Sequence, residues 1–299
     1  MKLDCVGFGS LNTDRLYRVE RIAKSGEESF ISGYEEHLGG SAANTIVGLS
    51  RLEHKVGYIG KVANDDNGRL HLSAFANEGV DTAGICRVEF GRSGVVMGFV
   101  DCRGERALYV DPGVNDTLGM EEINLDYAAD SEFLHITSFV GERPFKSQIK
   151  LLEERPSIRV SFDPGELYVR RGLHAMRPFL RRSYVAFPNE NELHLLTNEG
   201  PEDGAKALLK EGVEIVAVKL GERGCFVTNG KESFHLPVFK TQIVDTTGAG
   251  DAFCAGFLHG LIIGKDINEC AVLGNLTSSI KISKLGARAG LPRLKDMKI

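Results

Sequence analysis

The stretch Val244-Asp245-Thr246-Thr247-Gly248-Ala249-Gly250-Asp251-Ala252-Phe253 decides how the rest of the chain is read. After it, Phe253, Phe257, Leu258 and Leu261 recur at helical spacing, which predicts a helix over Ala249–Ile263. The small residues 248–250 then open that helix, where the first backbone amides have no intrahelical partner and the dipole favours negative charge. Glycines let an anion come close to those amides. Developing charge on a transferring phosphoryl group is what such a turn would stabilise. Asp251 stands at the same helix start. A carboxylate beside an anion-binding turn has an obvious use in taking a proton from an attacking hydroxyl. Taken alone, Asp251 reads as an ordinary first-turn acid and Asp245 as a turn former. The complete run favours the functional reading.

Outward from this segment, short apolar runs alternate with helical patterns. Leu3–Gly9, Lys55–Gly60, Phe133–Thr137, Arg159–Asp163, Tyr184–Phe187 and Ile215–Leu220 read as buried strands. Ser41–Leu52, Gly68–Glu78, Pro144–Glu154, Asn191–Thr197 and Glu202–Lys210 read as helices. The alternation predicts an α/β fold with a mainly parallel sheet, helices on both faces and right-handed crossovers. Two segments break the rhythm. Residues 15–37 are β-like and polar at alternate positions, and 88–111 reads as two strands around the turn Asp101-Cys102-Arg103-Gly104-Glu105. They are either surface hairpins or a small β-sheet lid on a single domain spanning 1–299.

Composition narrows the function. The 299 residues are 42% hydrophobic and carry 36 Lys+Arg against 41 Asp+Glu, a net charge of −5. That excludes disorder and disfavours nucleic-acid binding. No apolar stretch approaches the roughly 20 residues needed to span a bilayer, so a cytoplasmic protein is expected. The six cysteines, at 5, 86, 102, 225, 254 and 270, form no CxxC pair and read as reduced, buried thiols.

The run Asp245–Phe253 resembles the signature of the ribokinase-like sugar and nucleoside kinases, the PfkB family. Other segments resemble that family in order along nearly the whole chain. They are Gly9-Ser10-Leu11-Asn12-Thr13-Asp14, Leu38-Gly39-Gly40-Ser41-Ala42-Ala43-Asn44, Phe187-Pro188-Asn189-Glu190-Asn191-Glu192, Val218-Lys219-Leu220-Gly221-Glu222-Arg223-Gly224 and Gly286-Ala287-Arg288. The resemblance implies a ribokinase-like fold and phosphoryl transfer from ATP to a sugar-like hydroxyl. Asp251 would be the base, and the amides of Gly248, Ala249 and Gly250 the phosphoryl cradle.

It further implies that Asn12, Asp14, Gly39, Gly40 and Asn44 hold the acceptor. Asn12 and Asp14 would otherwise make an Asx turn, and the glycines a hinge into a helix capped by Ser41. Asn189, Lys219, Gly221, Gly224 and Asn275 would serve the nucleotide, with Lys219 alternatively a solvated strand end and Asn275 a plain helix position. Glu192 would support Mg²⁺ through water, or belong to a solvated acidic turn. Asp245 and Thr247 resemble ligands of a monovalent cation such as K⁺, completed by carbonyls around 283–290. Gly113 and Asn115 lie after the lid and read as a Pro-Gly turn or a substrate contact. A homodimer through the lid is implied.

The acceptor class stays open among ribose, other sugars or sugar acids, and nucleosides. Ser41 stands where ribokinases carry lysine, the substrate-binding glutamate that they carry after the strand Leu134–Ser138 does not occur there, and Ser161-Phe162-Asp163-Pro164-Gly165 resembles nucleoside kinases. Two other classes compete. One is a non-catalytic nucleotide or sugar sensor on the same fold. The other is a nicotinamide oxidoreductase using Gly7-x-Gly9-x-x-Asn12, which needs a helix directly after Gly9 and no strand near 15–19. The basic residues Arg170, Arg171, Arg177, Arg181 and Arg182 read as a solvated face.

Overall fold

Strand β1 (Leu3–Phe8) is apolar on both faces: Val6 and Phe8 enter one hydrophobic core and Cys5 the other. In the computed structural model, which describes residues 2–297, this strand lies inside a nine-stranded sheet. The chain leaves it through β2 (Asn12–Val19) and β3 (Ile31–Leu38) and returns by helix α1 (Ser41–Arg51) to β4 (Val56–Ala63). Helix α2 (Asp66–Asn77) leads to the edge strand β5 (Ile85–Val88), and β6 (Gly94–Val100) and β7 (Arg106–Asp111) follow. Next come α3 (Leu125–Ala129), β8 (Ser131–Thr137), α4 (Glu142–Glu154), β9 (Arg159–Asp163), α5 (Gly165–Val169), α6 (Gly172–Leu180) and β10 (Ser183–Ala186). The chain continues through α7 (Glu190–Thr197), α8 (Pro201–Lys210), β11 (Ile215–Lys219), β12 (Cys225–Thr228), β13 (Ser233–Leu236), α9 (Ala249–Ile262) and α10 (Ile267–Lys281).

The large sheet runs β13-β12-β11-β10-β9-β8-β1-β4-β5, its pairs parallel except those of β12, which alone runs against the others. From β1 the strand order proceeds one way to β4 and β5, and the other way from β8 to β11. The point of reversal therefore lies between β1 and β8, and open α/β sheets bind ligands beyond the carboxyl ends of the strands at such a point. A separate sheet, β3-β2-β6-β7, forms the lid. Its strands begin at Asn12 and Gly94, whereas Val88 closes β5 of the large sheet. Strand β2 directly after Gly9 removes the dinucleotide reading, because no helix follows the glycines.

Helix α9 is buried on every side from Ala252 to Gly260, sandwiched between α1 and α10. An all-round apolar helix can only sit inside the molecule, which fixes its first turn against α1. Four cysteines are buried, but Cys102 is exposed in the lid turn, since a tight turn leaves no core to enter. Among the described residues no helix is long and apolar enough to cross a membrane. Arg170, Arg171 and Arg177 pair with Glu166, Glu142 and Glu211 on the surface.

Candidate active site

Gly248 caps α9 with φ 77°, in the left-handed region that glycine enters freely, and a side chain there would press on the Ala287 carbonyl. The Ala249 amide donates to the Thr246 carbonyl at 3.0 Å, so it is taken up by the turn. The Gly250 and Asp251 amides have no acceptor in the chain among the described residues. Among the described residues the open amides of this turn are those of Gly248, Gly250 and Asp251, and that of Ala249 is not one of them.

The Asp251 carboxylate reaches across to α1. Its Oδ1 accepts from Ser41 Oγ at 2.7 Å and its Oδ2 from Asn44 Nδ2 at 2.8 Å. Burial raises its pKa above the usual carboxylate range, and the bonds from Ser41 and Asn44 hold it back. Each oxygen keeps a lone pair for a further donor. Ser41 is therefore not the helix cap. Gly40 occupies that position without a side-chain cap, and Ser41 spends its hydroxyl on Asp251 instead.

Beyond the ends of β1 and β8 lies a cavity of about 270 Å³. Ser10, Asn12, Ser41, Thr137 and Ser138 give it hydroxyl and amide groups and Asp116 a carboxylate, while Val96, Leu108 and Val110 of the lid with Val140 and Leu167 make the larger part of its wall apolar. Ser41 links this cavity to Asp251. Asn12 Oδ1 accepts from Asn115 Nδ2 at 3.0 Å, and Asn115 also bonds both backbone groups of Leu11. Asn115 thus clamps the loop between β1 and β2, where the lid begins. Gly40 lines the same cavity.

Asp14, Gly39 and Asn44 are drawn together by Arg288. The Arg288 Nε donates to Asn44 Oδ1 and its Nη2 to the Gly39 carbonyl, both at 2.8 Å. Asn44 therefore has its amide fully engaged by Asp251 and Arg288. The Asp14 carboxylate fills the space where any side chain at 39 would begin, so this close approach requires glycine. Burial pushes the Asp14 carboxyl up to about 6, with Arg288 working against it. Burial also pulls the Arg288 guanidinium down to about 10, opposed by Tyr58 and Asp14. Asp14 faces a larger cavity of about 560 Å³ between the lid and residues 285–287.

On the other side of Asp251, Lys219 is not solvated. Its Nζ lies 2.8 Å from Asp163 Oδ2, with the two side chains 15% and 7% exposed, and packs against Gly250. Burial works against this ammonium, but Asp163, Cys254 and Glu192 outweigh it and hold its pKa above the lysine range. Asn189 and Glu192 cap α7 reciprocally: Glu192 Oε2 accepts the Asn189 amide and Asn189 Oδ1 the Glu192 amide. Burial raises the Glu192 pKa, with Lys219 opposing. Gly221 and Gly224 flank a short turn after β11, both with positive φ. Asn275 is buried and donates to the carbonyls of Leu236 and Pro237, tying α10 to the end of β13.

Asp245 Oδ1 accepts from the Thr247 amide and hydroxyl, and its Oδ2 from the Gly286 amide. Bonding to the ionised form keeps its carboxyl below the usual range in spite of burial. Asp163 and Arg288 are the site residues that spacing alone did not single out. Both lie in segments that resemble the family, Ser161–Gly165 and Gly286–Arg288, but neither residue was assigned a role.

The pfkB family carbohydrate kinase model matches residues 2–294. An uncharacterized sugar kinase of Archaeoglobus fulgidus is 47% identical over 253 residues, 84% of this chain and all of that protein. An ATP-dependent ribose-1-phosphate kinase of Halopiger xanaduensis is 34% identical over 282 residues, 94% of this chain and 92% of that one. The ribokinase of Thermotoga maritima superposes with a TM-score of 0.89 at 28% identity, covering 99% of this chain and 98% of that one. The cavity beside Ser41, the carboxylate bonded to that serine and the helix start behind it are thus set in a chain that belongs to the pfkB family of carbohydrate kinases.

Proposed function

We propose that the chain transfers the γ-phosphoryl group of ATP to a hydroxyl of a compact sugar, with Asp251 as general base. The observation that carries this is the position of the Asp251 carboxylate between the open amides of α9 and the 270 Å³ cavity that Ser41 lines. An acceptor hydroxyl placed there donates to a carboxylate whose raised pKa suits proton abstraction. The amides of Gly250 and Asp251, with Gly248, receive the phosphoryl oxygens. Catalysis is positioning plus electrostatics. Asn12 and Gly40 line the acceptor cavity; Asp14 and Gly39 shape its neighbourhood under the lid. Lys219, Gly221 and Gly224 face the nucleotide side, with Asn189 and Asn275 holding that side in shape. A non-catalytic sensor would not need a base poised at this point.

The residues fit Mg²⁺ brought by the nucleotide rather than held in a cage of their own. Among the described residues no group of three or more His, Cys, Asp or Glu converges. Glu192 keeps one oxygen beyond its cap and would assist through water. When bound, the ion supplies charge neutralisation on the phosphates.

The cavity is small beside the roughly 300–1,000 Å³ of pockets for drug-sized ligands, and its charged lining is the Asp116 carboxylate, with neither Lys nor Arg. Both features favour an uncharged pentose or similar sugar. A second reading is a phosphorylated pentose, favoured by the ribose-1-phosphate kinase relative. The lid's outer face carries an aromatic row across its four strands, Tyr34, Tyr17, Phe99 and Tyr109, with neighbouring centroids 5.2–5.9 Å apart. Tyr34 and Tyr109 are exposed, and this row supports a lid-to-lid homodimer.

The test is ADP release with ATP and Mg²⁺ over ribose, ribose 1-phosphate, hexoses, sugar acids and nucleosides, with Asp251→Asn as the control. Turnover on a free or phosphorylated pentose, reduced roughly 10²–10⁴-fold in the variant with nucleotide affinity kept, is the expected result. Equal activity in the variant would sink the base assignment. Turnover on a nucleoside alone would sink the compact-acceptor reading.

A further inference from the structure

The loop expected to hold a monovalent cation already holds a positive charge of its own. Lys281 is the last residue of α10, and its side chain is 0% exposed. Its Nζ donates to the Asp245 carbonyl at 2.8 Å and lies 4.0 Å from Asp245 Oδ2. The Asp245 carboxylate accepts from other directions as well, Oδ1 from the Thr247 amide and hydroxyl and Oδ2 from the Gly286 amide. One of the nearby carbonyls, that of Ile282, accepts the amides of Val244 and Asp245. A K⁺ ion here would need the Asp245 oxygens as ligands, and these already accept from two amides, a hydroxyl and an ammonium. The residues present do not fit a bound K⁺.

Burying a lysine ammonium with one good hydrogen bond is costly unless its charge is used. Burial does pull the Lys281 pKa down, with Asp245 and Asp251 opposing. The ammonium braces the backbone of Asp245, three residues before the Gly248 cap of α9. A fixed charge there adds to the field of the helix start, where the phosphoryl oxygens are received.

We propose that the Lys281 ammonium is a built-in replacement for the monovalent cation and that this kinase works without K⁺. The inference rests on the kinase assignment and is independent of which sugar is the acceptor. Lys281 acts through the Asp245–Gly248 turn, as a positioning residue.

Two measurements test it. Crystals of the native protein soaked in Rb⁺ give an anomalous map that reads the site without activity. No peak beside the Asp245 carbonyl is expected; a peak there, with Lys281 displaced, overturns the proposal. Turnover is then measured with tetramethylammonium as the sole monovalent cation and again with K⁺ at constant ionic strength. The native rate is expected to stay unchanged, while Lys281→Ala falls about 10²-fold without K⁺ and recovers part of the loss with it. Stimulation of the native enzyme by K⁺ of about tenfold or more, a difference of ~1.4 kcal/mol in barrier, refutes the idea. So does a Lys281→Ala variant that is as active as native without K⁺. A folded variant that loses activity with no K⁺ recovery assigns Lys281 a structural role and also overturns it. If Lys281→Ala does not fold, the native Rb⁺ map and the native K⁺ response still decide. Absence of turnover on every sugar, with no Rb⁺ peak, would count against the proposed acceptor while leaving the cation inference standing.

Discussion

Asp14 is a carboxylate placed where it costs stability. In the fold it keeps its proton up to about pH 6, against an ordinary value of 3.8. Between those values the folded state binds more protons than the unfolded one, so stability falls as pH rises and the loss is complete above about pH 6. Asp14→Asn removes that loss. The variant should be more stable than native at pH 8, by on the order of 1–2 kcal/mol once solvent screening of a half-buried group is counted. The gain should vanish below about pH 4, where both states are protonated. Urea denaturation across this range checks it, and a difference independent of pH would show that burial of the charge is not the cause. Such a cost is common where a group is kept for binding, which agrees with the place of Asp14 beneath the lid.

Elements rather than single residues set the geometry around Lys219 and Asp163. Lys219 ends β11 and Asp163 ends β9, and their ion pair bridges two strands separated by β10. The pair is nearly buried, so removing one member leaves the other charge without compensation. Lys219→Met should destabilise the protein by about 3 kcal/mol. Combining it with Asp163→Asn should return a large part of that loss, because no buried charge is then left alone. Denaturation midpoints of the two variants make the comparison. An additive, larger loss in the double variant would mean that the pair stabilises by packing alone. The Asn189–Glu192 box and the Gly248 cap act at this same scale, each fixing where one helix begins, and both were visible in the sequence as motifs. The role of Lys219 was not, because a lysine at a strand end looks the same whether it meets solvent or a buried acid.

At the scale of the molecule, the lid has two unlike faces. One carries Asp14, Leu16, Arg18 and His37 toward the 560 Å³ cavity. The opposite face carries the row of Tyr34, Tyr17, Phe99 and Tyr109. Period-two alternation in β2 produces this division. If the aromatic row pairs two lids, native protein should sediment at twice the chain mass, and Tyr34→Glu with Tyr109→Glu should sediment as a monomer. A native monomer at micromolar concentration would remove the dimer. The strong repeating elements were legible: all six expected strands and all six expected helices occur within three residues of their expected ends. The elements that were not anticipated are short, such as β12 (Cys225–Thr228), or have their apolar pattern diluted. In α10 the run Asn275-Leu276-Thr277-Ser278-Ser279 hides the helical period, although its polar groups bond back into the helix and its neighbours.

Local pattern was enough for the α/β alternation, the helix after Gly250, the glycine pair before α1 and the family to which the chain belongs. These depend on residues within a few positions of one another, where spacing, backbone freedom and capping act directly. The contacts that give the site its character span long separations. Ser41 and Asp251 are 210 residues apart, Lys219 and Asp163 56, and Lys281 and Asp245 36. Whether such groups meet is set by strand order and by the packing of α1, α9 and α10, which no local spacing encodes. That is why Asp245 resembled a cation ligand in the sequence, whereas in the folded chain its backbone carbonyl is already bonded to a lysine.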